Sequence, residues 1–237
     1  MEGAFPQVAF EVFGIPVRDT VISTWIVMAI ILAVVLVLKK RFPRGLDLLI
    51  EYLHDTLSDV MGRPAWPYLP FLGSLAIFVA TANVSSILPA IPLPGGGMLP
   101  IVSPTRDINT PVALAIVVFL AVHVYGMRSR GVLNYLKALA SPIYLAPLTF
   151  TLEIFGQVSR SVSLAIRLFG NIISTELVVA VVSSLLPLIV PLPLIGLSMF
   201  TGLLQAYIFT VLATIFIAGG LEEHESDKEP SDQPTDS

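Results

Sequence analysis

No cysteine occurs in the 237 residues, so a disulfide framework, a thiolate metal site and a cysteine nucleophile are all excluded. Charge is scarce too: Asp, Glu, Lys and Arg make up 13% of the chain against 55% hydrophobic residues, and mean hydropathy is +0.85. So apolar a chain reads as a polytopic membrane protein rather than a soluble domain. Also missing are a glycine loop leading into a phosphate-binding helix, a metal-spacing cluster and a nucleophile elbow. Catalysis by the chain alone, a cofactor and a nucleic-acid partner are therefore not expected. The first twenty residues carry Glu2, Glu11, Arg18 and Asp19 but no basic start followed by an apolar core and a small-residue cleavage site, so no signal peptide is expected.

What the chain does have is long apolar runs. Residues 20–38 hold no ionisable group and would extend about 28 Å as a helix, matching a hydrocarbon core. Lys39, Lys40, Arg41 and Arg44 follow, and basic clusters at span ends mark the cytoplasmic side, which puts the N-terminus outside. In 45–60, Leu46, Leu49, Ile50, Leu53, Leu57 and Val60 recur at helical spacing opposite Asp47, Glu51, Asp55 and Asp59, the pattern of a helix lying on the cytoplasmic surface. Trp66 and Tyr68 read as interfacial anchors before a second span at 71–88. The segment 89–111, rich in proline and glycine, is an outside loop. A third span at 112–127 starts after Thr110 and Pro111 and ends at Arg128 and Arg130.

Two longer segments follow, 147–186 and 192–219, separated by a turn holding Pro187, Pro191 and Pro193. The first would be about 60 Å long as one helix, so it must tilt strongly or break. The expected fold is thus an all-α polytopic membrane domain over 1–220, with five crossings, one surface helix and a long, tilted final hairpin. Residues 221–237 carry seven acids against Lys228, and this cytoplasmic tail is expected to be disordered.

Polar residues on 147–186 form a stripe. Glu153, Arg160, Arg167 and Ser174 repeat every seven residues, with Gln157, Ser163 and Asn171 beside them. Arg167 lies near the midpoint, and a guanidinium at bilayer depth costs at least ~2.5 kcal/mol, so it needs a partner, water or a function. Nine residues on, Glu176 is half a turn away and about 13 Å along the axis, which rules out a pair between the two. Antiparallel register across the hairpin places Arg167 level with Gln205, and Glu176 level with the neighbourhood of Ser198.

Several residues keep two readings. Arg160 either snorkels to the cytoplasmic side or serves the stripe; Glu153 either neutralises Arg160 or binds a neighbouring helix. Asp107 and Asn109 suit helix capping as well as chemistry. His123 reads as a packed, hydrogen-bonded histidine rather than a relay, His54 as solvated, and Asn83, Ser85 and Ser86 as interhelical hydrogen-bonding groups.

The motifs SLAIRLFGN, with Glu176 nine residues after the arginine, PTRDIN, LEIFGQVSRSVSLAIR and LLQAYIFTVLATIFIAGGLEEH together resemble subunit a of the F-type ATP synthases over nearly the whole chain. The resemblance implies an ion-translocating membrane stator beside a rotating c-subunit ring. Peripheral-stalk b subunits, the rest of the ATP synthase complex and the bilayer of the cell (inner) membrane would be its other partners. In that family an arginine matching Arg167 faces the ring carboxylates between two aqueous half-channels, and a carboxylate matching Glu176 lines one of them. Asn171, Gln205, Glu153 and Ser163 match polar positions of the family. Where relatives often carry a second ionisable residue near the carboxylate, this chain has Ser198. The ion implied is H⁺, with Na⁺ open. Rival readings are a secondary transporter with a midplane anion site, against which no internal repeat is found, and a scaffold whose polar stripe only joins helices.

Overall fold

The computed structural model describes residues 8–12, 15–85, 91–92, 98–99, 103–139, 146–185 and 191–222. They form β1 (Val8–Val12), β2 (Ile15–Arg18), α1 (Asp19–Arg41), α2 (Pro43–Met61), α3 (Leu69–Val84), β3 (Ile91–Pro92), β4 (Met98–Leu99), a 3-10 turn (Pro104–Arg106), α4 (Asn109–Arg130), α5 (Val132–Leu139), α6 (Ala146–Leu185) and α7 (Pro191–Glu222). Helices α1, α4, α6 and α7 are long and apolar enough to cross a membrane; α3 is apolar but has 16 residues. Two short antiparallel hairpins, β1 with β2 and β3 with β4, add to the helical architecture that hydropathy implies. Of the tail expected at 221–237, Leu221 and Glu222 end α7 and 223–237 lie outside the described residues, as do the glycine-rich part of the outer loop and Ser86.

Local chemistry explains most boundaries. Asp19 sits in the first turn of α1 and Lys39, Lys40 and Arg41 in its last, each sign where the helix dipole favours it. Pro43 opens α2, and Gly62, at φ 66°, supplies its left-handed C-cap. Helix α6 runs forty residues without interruption, which removes the expected alternative of a break. Helix α7 begins at Pro191, so two prolines assigned by sequence to the turn lie in its first turn, where backbone N–H groups have no helical acceptor to lose.

Helix α7 is the axis of the bundle. Its Ala206, Phe209, Ala213, Ile217 and Leu221 are buried at three- and four-residue spacing, joining Leu72, Leu75 and Val79 of α3, Val118 and Val122 of α4, and Leu164 and Leu168 of α6. Lipid tails are as apolar as leucine, so helix association in a bilayer rests on close packing and hydrogen bonds rather than on the hydrophobic effect. Small residues on α7 serve that need. A methyl group at Gly202 would meet Asn83 Cβ at 3.2 Å, and one at Gly220 would meet Val122 at 3.6 Å. By contrast, α1 buries only Thr20, Ser23 and Val27, while Trp25, Met28, Leu32 and Leu36 are exposed along its length.

The surface helix is more engaged than its pattern suggests. Leu57 and Met61 of α2 enter the core beside Ala65, and His54 stacks on Trp66 with ring centroids 4.2 Å apart. His54 also meets Ser58 Oγ at 3.3 Å and Asp55 at 3.1 Å, which corrects its reading as a solvated side chain. Helix α5, which the sequence reading passed over, folds back so that Tyr135 lies against Gly126 of α4.

Candidate functional site

A buried hydrogen-bond network fixes one end of the bundle, the end at which α3 finishes and α4 begins. Asn83 Nδ2 donates to Gly202 O at 2.9 Å, Thr105 Oγ1 donates to Asn83 Oδ1 at 2.9 Å, and Ser103 Oγ donates to Ala82 O at 2.8 Å. Asn83 thus joins α3 to α7, while Ser85 bonds only within its own helix, to Ala82 O at 2.8 Å. The 3-10 turn is pinned by this network. Its last residue and the one after it therefore project charge from a fixed position.

Those charges are Arg106 and Asp107. Asp107 is 4% exposed and accepts from Arg18 Nη1 at 2.8 Å, Thr20 Oγ1 at 3.2 Å, and both the backbone N–H and side-chain amide of Asn109. The N-cap position of α4 is Ile108, and Asp107, one residue before it, accepts the N–H of Asn109 at the start of the helix while also pairing with Arg18. Burial alone would push its carboxyl up, but the Arg18 hydrogen bond, the Asn109 N–H, the Arg18 charge and the Thr20 hydroxyl outweigh it and hold Asp107 below its ordinary value. The hydrogen bond and charge of Asp107 raise Arg18 in return.

Arg106 lies between two carboxylates, with Nη1 3.5 Å from Glu176 Oε2 and Nη2 3.8 Å from Asp19 Oδ2. Among the described residues, no hydrogen bond or ion pair joins Glu176 to Ser198; the partner of Glu176 comes instead from the turn before α4. Sequence reasoning compared depths only across the α6–α7 hairpin and so missed Arg106. A signal was present, because a charged pair just before the start of one span sits at the same level as a residue nine positions before the end of a neighbouring span that runs the opposite way.

The middle of α6 is arranged differently. Arg167 is exposed near the helix midpoint and has no ion-pair partner among the described residues; its chain neighbour Ile166 is exposed as well, as are Leu203, Leu204 and Tyr207 on α7. Gln205 is 6% exposed, turned into the bundle, and its Nε2 has no hydrogen-bond partner among the described residues. The two share a level without touching. Asn171 Nδ2 reaches Thr201 O at 3.4 Å, four residues past Arg167 on α6 and four before Gln205 on α7, which is the antiparallel register that levels the pair. Ser198 is half-buried on the same helix, and its carbonyl accepts from Thr201 Oγ1 at 3.1 Å.

Toward the other end of α6, Arg160 Nη2 lies 3.7 Å from Glu153 Oε1, and Gln157 Nε2 donates to the same oxygen at 3.1 Å. Glu153 thus meets Arg160 across two turns. Both side chains are roughly half exposed, and Ser163 one turn further is exposed, so this section of the stripe opens on the surface. His123 lies apart on α4, where Nδ1 contacts Phe119 O at 2.8 Å and the ring packs on Phe119. It takes no part in the stripe.

The chain that carries this stripe matches known proteins over most of its length. The model of the family described as ATP synthase A chain matches residues 21–218. ATP synthase subunit a 2 of Bradyrhizobium sp. strain BTAi1 is 38% identical over 220 residues, 90% of this chain and 92% of that protein. ATP synthase subunit a of Geobacter sulfurreducens is 36% identical over 86% of this chain and 88% of its own length, and that of Moorella thermoacetica 31% over 92% and 98%. The chain belongs to the ATP synthase A chain family.

Proposed function

We propose that this chain is the ion-translocating stator of an F-type ATP synthase, and that Arg167 separates two aqueous half-paths while facing the carboxylates of a c-subunit ring. The observation that carries the reading is the unpaired, exposed Arg167 at the middle of a forty-residue helix. A guanidinium left open on an apolar surface has its counter-charge elsewhere, and a partner carboxylate is the group that satisfies it. At an effective dielectric of ~20, unit charges ~4 Å apart interact by about 4 kcal/mol, enough to make an approaching carboxylate release its ion before passing. The same cation opposes leakage of cations between the two paths.

Five crossings, with α3 as the second, follow from this reading. The N-terminus lies outside and the C-terminus in the cytoplasm, because Lys39, Lys40 and Arg41 end α1 and Arg128 and Arg130 end α4. Glu176, with Arg106 and the Asp107 cluster, then lines the outer half-path; Glu153, Gln157 and Ser163 line the inner one. Asn171 and Gln205 orient groups at the level of the arginine, and Ser198 lies toward Glu176. Peripheral-stalk b subunits are the natural cover for the exposed length of α1.

The test is ATP-driven pumping by the assembled complex in vesicles, with Na⁺ absent and present. Arg167→Lys should abolish pumping while the complex still assembles, because an ammonium does not reproduce the planar fork. Unchanged pumping would leave a scaffold role for the polar stripe. Dependence on added Na⁺ would identify the ion.

A further inference from the structure

Five charged groups meet where β2, α1, the 3-10 turn and α6 converge: Arg18, Asp19, Arg106, Asp107 and Glu176. Arg18 and Asp107 are matched by their direct hydrogen bond at 2.8 Å. What remains is one guanidinium between two carboxylates. Arg106 presents a different terminal nitrogen to each, at 3.5 Å to Glu176 and 3.8 Å to Asp19, so the two carboxylates share one guanidinium at similar distances. Its side chain is 10% exposed, and the turn that carries it is held by Ser103 and Thr105 to α3. The guanidinium is therefore tethered between two acceptors rather than free to search the surface.

We propose that Arg106 is the positioning residue of the outer half-path: it holds the Glu176 carboxylate in place and shifts onto Asp19 when Glu176 takes up its ion. The count of charges supports the shift. With two arginines and three acids the cluster carries one net negative charge, and one cation on Glu176 brings it to neutral while Arg106 keeps a counter-charge in Asp19. No covalent bond changes other than the one between the incoming proton and a Glu176 oxygen; with Na⁺ the carboxylate coordinates instead. Ser198, which the hairpin register places toward Glu176, carries no charge, and Arg106 supplies the charge at that level from another element. Among the described residues Arg106 is the charged group in contact with Glu176; Asp19 reaches the same guanidinium, Arg18 and Asp107 pair with each other, and α7 contributes no charged residue between 191 and 221.

This inference rests on Glu176 serving the outer half-path, and its test reads a sign rather than a loss. The complete complex is reconstituted in vesicles with the outer side inward, and ATP synthesis is followed against lumenal H⁺ at constant total driving force, then against lumenal Na⁺ at fixed pH. Arg106→Gln removes the cation beside Glu176, so the half-saturating ion concentration should fall about tenfold, a shift of about one pH unit toward alkaline. Asp19→Asn leaves Arg106 wholly to Glu176 and should shift the profile the opposite way. Arg106→Lys, whose compact ammonium does not span both acceptors, should lie between Arg106→Gln and the unaltered protein. In a Glu176→Gln background, whatever residual synthesis remains should show neither shift. No shift, shifts of one sign in both variants, or shifts that survive Glu176→Gln would each overturn the proposal. If Arg106→Gln does not assemble, Arg106→Lys and Asp19→Asn still provide the opposite signs. The gating role of Arg167 fails separately, by pumping that persists in Arg167→Lys.

Discussion

The two faces of α6 carry charge in opposite ways. Beside Glu176, every charged group has a partner within 3.8 Å, and Asp107 and Arg106 are nearly enclosed. Arg167 is exposed beside the exposed Ile166 and has no ion-pair partner among the described residues. Internal pairing fixes shape, since removing one partner of a buried pair leaves the other uncompensated. A charge without an internal partner stores interaction for something outside. The first face is built to be stable in isolation, the second to be completed.

The sharpest way to break this contrast is to give Arg167 a partner of its own. Ser163→Glu places a carboxylate one helical turn away, and we expect ATP-driven pumping to fall by at least a factor of about ten while assembly persists, because a local pair competes with any approaching carboxylate. Pumping rates and complex yield, measured together, check it. The converse perturbation loosens the paired face: Asn83→Leu removes the bonds to Gly202 and Thr105 and crowds the Gly202 approach, which should cost about 1–3 kcal/mol in unfolding measured in detergent.

Acid titration should separate the faces next. Asp107 is held below its ordinary value, so its contribution to stability is full above the unfolded value and is lost as pH falls through the depressed folded one. Thermal unfolding should therefore show a loss of stability on the acid side of the ordinary carboxylate range, and Asp107→Asn should flatten it. The smallest effect belongs to the exposed end of the stripe, where Glu153→Gln should change stability by less than about 1 kcal/mol. A larger change there would mean that this end is also shaped by its pair.

Much of the architecture was legible because hydropathy is a one-dimensional signal. The uncharged run at 20–38 lies within α1, and the apolar stretch at 147–186 coincides with α6 to within a residue at each end. Seven-residue repetition likewise placed Glu153, Arg160 and Arg167 on one stripe, and their contacts or exposure follow it. What escaped were short or distant features. Helix α5 has eight residues, too few for a decisive period, and β1 and β2 carry only a handful of alternations. Arg106 and Glu176 are seventy positions apart, and their approach depends on how α4 and α6 pack, a quantity no periodicity contains.

Because α6 is one uninterrupted helix, it fixes angles as well as positions. Each residue advances the helix by 100°, so the azimuth of Glu176 relative to Arg167 is set by the eight residues between them and by nothing else. Inserting a single alanine in that stretch would remove none of the named side chains, yet rotate one ion-handling group about a quarter turn against the other. The helix is in that sense a phase standard. Its sequence can drift wherever the count is kept, and a change in the count is the one alteration it has no means to absorb.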